Sequence, residues 1–194
     1  MWQKACSERM TKIDQLKPAV FIDRDGTLIE DEDYLDDPAR MRVFEFTAEA
    51  LRLLKEKGFL LIVITNQSGI TRGLVTESDV DAVHATLNDS LKNSIDAFYH
   101  CPHGPNDGCR CRKPSLGMIE CAVANYPIDI ANSWMVGDKK LDIETGFNAG
   151  MSTALVLTGY GAAHVRELER MPDIVADNLL EVAREIIARD DQCP

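Results

Sequence analysis

A chain of 194 residues, 45% hydrophobic and with only 12 Gly and 8 Pro, has the size and composition of one globular domain with a substantial core, spanning 1–194 with a short N-terminal extension at 1–17. The net charge of -11 argues against nucleic acid or an anionic membrane surface as a partner, because both require clustered Lys and Arg against phosphate. Residues 1–17 lack the apolar stretch of a signal peptide and the longest apolar run, FLLIVI at 59–64, is too short to cross a bilayer, so the expectation is a cytoplasmic monomer acting on a small molecule.

In chain order, AVFID (19–23) reads as a first strand and residues 47–57, closed by Gly58, as a helix. FLLIVIT (59–65) is the second strand, followed by a helix over 76–90 opened by the cap-like TESD, then the strand IDAFY (95–99). A helix at 115–125, the strand SWMVG (133–137), a helix at 141–149 closed by Gly150 and the strand STALVL (152–157) continue the alternation. DIVA (173–176) and the helical NLLEVAREIIAR (178–189) complete the edge. Nearly continuous apolar strands alternating with helices specify a three-layer α/β/α, Rossmann-like domain with a mainly parallel sheet, whose ligands gather at the carboxyl ends of the strands. No internal repeat, low-complexity tract or linker interrupts the pattern.

Polar motifs fall where that fold puts a site. The first strand ends in FIDRDGTL, with Asp23 and Asp25 two apart and expected to face one side while Arg24 points away. The second ends in TNQSG, the third leads to Lys113, and the fourth ends in GDKKLD with Asp138. Asp, Thr, Lys and Asp after four successive strands suit phosphoryl transfer, where catalysis is mostly positioning and charge stabilisation.

With these motifs in this order, over roughly residues 19–161, the chain resembles the haloacid-dehalogenase (HAD) superfamily phosphatases. FIDRDGTL, TNQSGITRG, the CPH and CRCRKP segments, GMI and MVGDKKLDI resemble in particular its D-glycero-D-manno-heptose-1,7-bisphosphate 7-phosphatase branch, with histidinol-phosphate phosphatases as neighbours sharing the cysteine-rich loop. The resemblance implies a sugar bisphosphate substrate, with histidinol phosphate the alternative; SGITRG weighs toward the heptose branch.

Under this reading Asp23 is the nucleophile that forms an aspartyl-phosphate, and Asp25 protonates the leaving alkoxide and then deprotonates water. Two carboxylates facing a phosphate dianion call for Mg²⁺, with Asp23, the main-chain carbonyl of Asp25 and Asp138 as ligands. Asp142 either holds a metal-bound water or caps its helix. Thr65 and the backbone amides of Asn66, Gln67 and Ser68 address the phosphoryl oxygens, and Lys113 adds a point charge. The resemblance also implies that Asp31, Tyr34 and Arg112 face the substrate, and Lys139 borders the metal site. Arg72, Arg110 and Lys140 are the other basic groups available to a second phosphate.

Cys101, His103, Cys109 and Cys111 form a Cys₃His set, which closes a tetrahedral Zn²⁺ site with no open position, so the loop at 100–114 is read as a structural clasp that brings Lys113 to the phosphate. Arg110, Arg112 and Lys113 would offset its negative charge. Cys6, Cys121 and Cys193 read as free thiols, His84 and His164 as ordinary helix residues and His100 as a surface or supporting group. The gap at 28–46 is too short for a cap domain, so the site should be open to water, which favours hydrolysis over transfer to a second sugar. The rival of another class is a zinc-loop interaction module on an inactive scaffold, which would have no need of Asp23, Asp25, Thr65, Lys113 and Asp138 together.

Overall fold

The computed structural model describes residues 16–192. Most of the expected N-terminal extension, together with Cys6 and Cys193, lies outside the described residues. Six parallel strands form one sheet in the order β3-β2-β1-β4-β5-β6. They are β1 (Lys17–Ile22), β2 (Leu60–Asn66), β3 (Ala97–Cys101), β4 (Ile128–Gly137), β5 (Ser152–Val156) and β6 (Ile174–Ala176). The helices are α1 (Thr47–Glu56), α2 (Glu77–Ser90), α3 (Gly117–Asn125), α4 (Lys140–Ala149), the single turn α5 (Gly161–His164) and α6 (Leu179–Asp190).

Alternation along the central strands sorts the core into two layers. Val20 and Ile22 of β1, Leu61 and Val63 of β2, and Val136 of β4 face α1, α2 and α6 through Leu51, Leu54, Leu87, Val182 and Ile186. Ala19 and Phe21, Ile62 and Ile64, and Met135 face the other way, toward Met118, Ile119 and Ala122 of α3. A strand segment buried on both faces must be apolar throughout, which is why Ala19–Ile22 of β1 and Leu61–Ile64 of β2 carry no polar residue. Each fully buried Leu or Ile contributes about 1.5–3 kcal/mol relative to exposure.

Local chemistry sets the boundaries. Thr76 caps α2 through the Asp79 N–H while the Asp79 carboxylate accepts from the Thr76 N–H, the reciprocal arrangement that TESD predicts. Strand β3 starts two residues later than predicted, because the Asp96 carboxylate leaves the strand path to accept from the Leu61 N–H and Lys55 Nζ. Strand β4 starts five residues earlier than predicted: Ile128 and Asp129 pair with Lys17 and Pro18, and an irregularity follows in which Ser133 Oγ accepts from the Ala19 N–H. The chain runs from β1 out through β2 to β3, then returns to the other side of β1 as β4. The reversal opens a crevice at the carboxyl ends of β1, β2 and β4, where ligands of such sheets bind. No helix among the described residues is long and apolar enough to cross a membrane.

Candidate active site

Three carboxylates meet at the reversal point. Oxygens of Asp23, after β1, and of Asp138 and Asp142, after β4, all lie within 4.8 Å of one another, and all three residues are buried. Lys113, arriving from beyond β3, is buried among them: its Nζ donates to Asp23 Oδ1 (2.8 Å), Asp142 Oδ1 (2.6 Å) and the Ile64 carbonyl (2.9 Å). An ammonium has three N–H donors, so the protein engages all of them. Asn66 fixes the Lys113 backbone, its Oδ1 accepting from the Lys113 N–H (3.0 Å) and its Nδ2 donating to the Lys113 carbonyl (3.4 Å). The Lys113-Pro114 peptide is cis, and Asn148 donates to the Pro114 carbonyl.

The charges tune one another. Burial pushes the Asp23 carboxyl up, but the Lys113 and Lys139 ammonium groups outweigh it and hold Asp23 below the usual carboxylate range. Burial and the neighbouring Asp23 push Asp138 up to about 8, and burial with Asp23 also raises Asp142 despite Lys113. Burial alone would lower Lys113; Asp142 and Asp23 reverse that and keep it protonated.

The donor set fits a divalent cation. Asp138 Oδ2 accepts from the Tyr160 N–H (2.8 Å), whereas Asp138 Oδ1 is buried without a hydrogen-bond partner, an oxygen that a hard cation would satisfy. The backbone is drawn in around it: a Cβ on Gly26 (φ +83°) or Gly159 (φ +54°) would come within 2.3 Å of Asp138 Oδ2, so only glycine serves at both places. Asp142 makes the helix-capping contact that the sequence offered as one of its two roles. Its Oδ2 accepts from the Lys139 N–H at the start of α4 and its Oδ1 holds Lys113, so both oxygens are engaged by the protein.

Asp25 and Arg24 depart from the predicted alternation. Strand β1 ends at Ile22, the chain turns, and the buried Arg24 side chain folds back onto the Asp25 carboxylate through Nε (3.1 and 3.2 Å) and Nη2 (3.0 Å) instead of pointing away. Gln67 Nε2 donates to Asp25 Oδ2 (2.8 Å) and to Thr65 Oγ1 (2.9 Å), leaving the Thr65 O–H free as a donor. The Gln67 backbone N–H is taken by the Cys101 carbonyl, so of the three amides expected to face phosphate, Gln67 is committed elsewhere.

An open cavity of about 340 Å³ begins beside this floor, at Asp25 and Lys139, and is lined by Arg24, Asp25, Asp31–Leu35, Asn66–Gly69, Lys139, Tyr160 and His164. Of the basic groups considered for a second phosphate, Lys139 lines it, paired with Asp31 (2.9 Å) and 4.9 Å from the Tyr160 ring centroid. Arg72 donates to the Tyr34 hydroxyl at the rim. Arg110 pairs with Glu120 and Lys140 with Glu144 and Glu169, all turned elsewhere. Arg112 donates to the His103 carbonyl (3.0 Å) and lines a separate cleft beside Lys113 and Pro114.

The cysteine-rich loop is drawn into a compact cluster. Cys101 Sγ lies 3.6 Å from His103 Nδ1 and from Cys109 Sγ; Cys111 Sγ lies 3.3 Å from that Nδ1, 3.1 Å from Cys101 Sγ and 3.5 Å from Cys109 Sγ. Zn–S bonds of about 2.3 Å in a tetrahedron give edges of about 3.8 Å, so the four ligand atoms already approach that figure, with histidine presenting Nδ1. The expected charge balance differs in detail, since Lys113 is spent on Asp23 and Asp142.

Comparison with known proteins decides the family. A family model described as HAD-hydrolase-like matches residues 110–182. The chain is 38% identical over 176 residues to the D-glycero-beta-D-manno-heptose-1,7-bisphosphate 7-phosphatase of Haemophilus ducreyi, covering 86% of this chain and 96% of the relative. The enzyme of the same name from Escherichia coli is 36% identical over 179 residues, covering 87% and 93%. The chain belongs to this heptose-bisphosphate phosphatase family of HAD-like hydrolases. Among solved structures, the D,D-heptose 1.7-bisphosphate phosphatase from B. bronchiseptica, complexed with magnesium and phosphate, superposes with a TM-score of 0.82 at 30% identity, covering 89% of this chain and 99% of that one.

Several residues of this family member's site escaped the sequence reading. Tyr160 and His164 come from the loop and short helix after β5; the rule that ligands gather at strand carboxyl ends applies equally to LTGYG and would have found them. Glu32 and Asp33, by contrast, belong to the DEDY segment that the resemblance turns toward the substrate, and they line the cavity wall beside Asp31. The role of Arg24 depends on a turn that alternation cannot foresee.

Proposed function

We propose that this protein hydrolyses the 7-phosphate of D-glycero-D-manno-heptose 1,7-bisphosphate, leaving the 1-phosphate, through an aspartyl-phosphate on Asp23. The observation that carries this reading is the near-full-length similarity to enzymes of that name, combined with the buried cluster of Asp23, Asp138 and Lys113 next to a cavity that Asp25 lines. Asp23, kept ionised by Lys113 and Lys139, attacks phosphorus while Asp25 gives a proton to the departing alkoxide. The P–O bond to the sugar breaks as the P–O bond to Asp23 forms. Water then attacks the phosphoryl group, Asp25 takes its proton, and Asp23 is released.

The Lys113 ammonium orients Asp23 through Oδ1, leaving Oδ2 for attack. The Thr65 hydroxyl donates to the phosphoryl oxygens. Asp23, Asp138 and the Asp25 carbonyl would hold Mg²⁺, which when bound supplies positive charge between the phosphate and the carboxylates. We assign Zn²⁺ to Cys101, His103, Cys109 and Cys111 as a structural ion, a site that needs reduced thiols and therefore suits the cytoplasm.

One observation favours a second substrate. The cavity wall carries Asp31, Glu32 and Asp33, an acidic rim suited to a cationic ligand such as histidinol phosphate. Competition between the two substrates for the Mg²⁺-loaded enzyme separates the readings. The heptose bisphosphate is expected to have the higher kcat/KM; a tenfold preference for histidinol phosphate, about 1.4 kcal/mol of transition-state binding, overturns the substrate assignment but leaves the chemistry intact. Asp23→Asn is expected to lose about 4 kcal/mol or more of catalysis on either substrate, and turnover by the pure variant overturns the chemistry itself.

A further inference from the structure

Behind the proposed acid-base carboxylate lies a second layer of charge that the reaction scheme does not use. Arg24 is 1% exposed, so its guanidinium must find its partners inside the protein. On one edge it grips the Asp25 carboxylate through Nε and Nη2. On the other, Nη1 lies 3.3 Å from Nε2 of His84, on α2. A guanidinium has no acceptor, so His84 Nε2 accepts and the imidazole carries its proton on Nδ1. The ring is held in turn by stacking on Phe98 of β3, with centroids 4.6 Å apart and planes 22° apart.

His84, Asp81 and His100 also bring ligand atoms within 4.8 Å of one another, a grouping that could suit a metal. A histidine that binds metal through one nitrogen donates from the other, however, and here the far nitrogen of His84 faces an obligate donor. The imidazole is therefore matched to Arg24 as an acceptor. Burial, then the guanidinium and His100, push its pKa down to about 3, which keeps it neutral and able to accept.

The contacts distinguish the two oxygens of Asp25. Oδ2 accepts from Arg24 Nη2 at 3.0 Å and Gln67 Nε2 at 2.8 Å, with Arg24 Nε at 3.2 Å, so its lone pairs are taken. Oδ1 accepts only from Arg24 Nε, at 3.1 Å, on a residue that lines the cavity. We propose that Arg24 and His84 are positioning residues that clamp the Asp25 carboxylate so that Oδ1 carries the proton to the leaving alkoxide and from the attacking water. The planar fork of arginine fixes the carboxylate plane as a lysine ammonium would not.

The inference rests on Asp25 being the acid-base residue, and the test separates the two ideas. For each variant, kcat/KM is measured for the sugar phosphate, whose alkoxide needs a proton, and for p-nitrophenyl phosphate, whose leaving group does not. Their ratio is independent of how much of the preparation is folded, so a poorly folding variant still reports. Asp25→Asn is expected to lower the ratio by about a hundredfold; if it does not, the acid-base role fails first. Arg24→Lys and His84→Leu are each expected to lower it by about tenfold with p-nitrophenyl phosphate nearly unchanged, and to show a nitrophenolate burst as phosphoenzyme hydrolysis slows. His84→Gln, whose amide oxygen can accept from Nη1, is expected to restore most of the ratio. A normal Asp25→Asn effect with unchanged ratios in the Arg24 and His84 variants overturns the clamp.

Discussion

Replacing Lys113 by Met tests the electrostatic floor of the site. Methionine keeps the length and apolar stem but removes the ammonium, leaving Asp23 and Asp142 without the contacts of 2.8 and 2.6 Å that it now supplies, beside a third buried carboxylate on Asp138. Breaking a buried ion pair by removing one partner costs about 3–5 kcal/mol, because the remaining charge stays desolvated. For a chain of this length that lowers Tm by on the order of 10 °C. The deficit should depend on pH with a definite sign: without Lys113, burial and mutual repulsion raise the folded-state pKa values of Asp23 and Asp142, so stability is retained at acid pH and lost as pH rises through those values. Urea denaturation in EDTA at neutral pH and near pH 5 measures it. Saturating Mg²⁺ should return part of the loss at neutral pH, and Asp142→Asn in the same background should return part without metal. A Lys113→Met protein within about 0.5 kcal/mol of the parent in EDTA at neutral pH would refute the reasoning.

Cys109→Ser is expected to lower zinc content from about one per chain, read by elemental analysis, and to reduce Tm and kcat together, because the clasp runs directly into Lys113; untagged, active parent protein without zinc or a substitute metal would refute it. Gly26→Ala places a methyl 2.3 Å from Asp138 Oδ2 at φ +83°, so Mg²⁺ affinity by titration calorimetry and kcat should both fall, with about 1–2 kcal/mol of added backbone strain. His84, with a folded pKa of about 3 against 6.5, takes up its proton mainly in the unfolded chain, so its contribution is complete above about pH 6.5 and is lost as pH falls toward 3. Between pH 6.5 and 5 that amounts to about 2 kcal/mol, and His84→Gln should flatten the curve by that amount in urea titrations.

The alternation of strands and helices in a parallel sheet and the carboxylates at the strand ends were legible because both follow from short-range pattern. Doubly buried strands must read as apolar runs, and the polar residue that ends each run is pinned to the crevice by the strand before it. What stayed hidden lies beyond strand ends. Arg24 was expected to alternate away from Asp25, an argument valid only inside a strand, and β1 stops at Ile22. Asn66 and Gln67 were read for their backbone amides; the work of their side chains, which serve Lys113 and Asp25, rests on pairings across 47 and 42 residues that no local pattern encodes. Arg110 and Lys140 looked available to a second phosphate because sequence shows charge but not its direction; each finds a glutamate on its own side of the fold. The Cys101, His103, Cys109 and Cys111 cluster was visible because Cys₃His is a composition as much as a geometry.

The chain is anchored at both ends of the cysteine-rich loop. Cys101 is the last residue of β3, paired with Asn66 and accepting from the Gln67 N–H, and Lys113 is gripped front and back by the Asn66 amide. The stretch from Gly104 to Gly108 between them makes no hydrogen bond to either anchor; its internal ties are the Asp107 carboxylate accepting from the Gly104 N–H and the Asp107 N–H donating to the Gly104 carbonyl. Extra residues inserted there would change the length of the loop without pulling on the lysine or altering the sheet register. The fold thus contains a splice point beside its active site, where new recognition surface can be tried by lengthening a turn while the reaction centre stays in register.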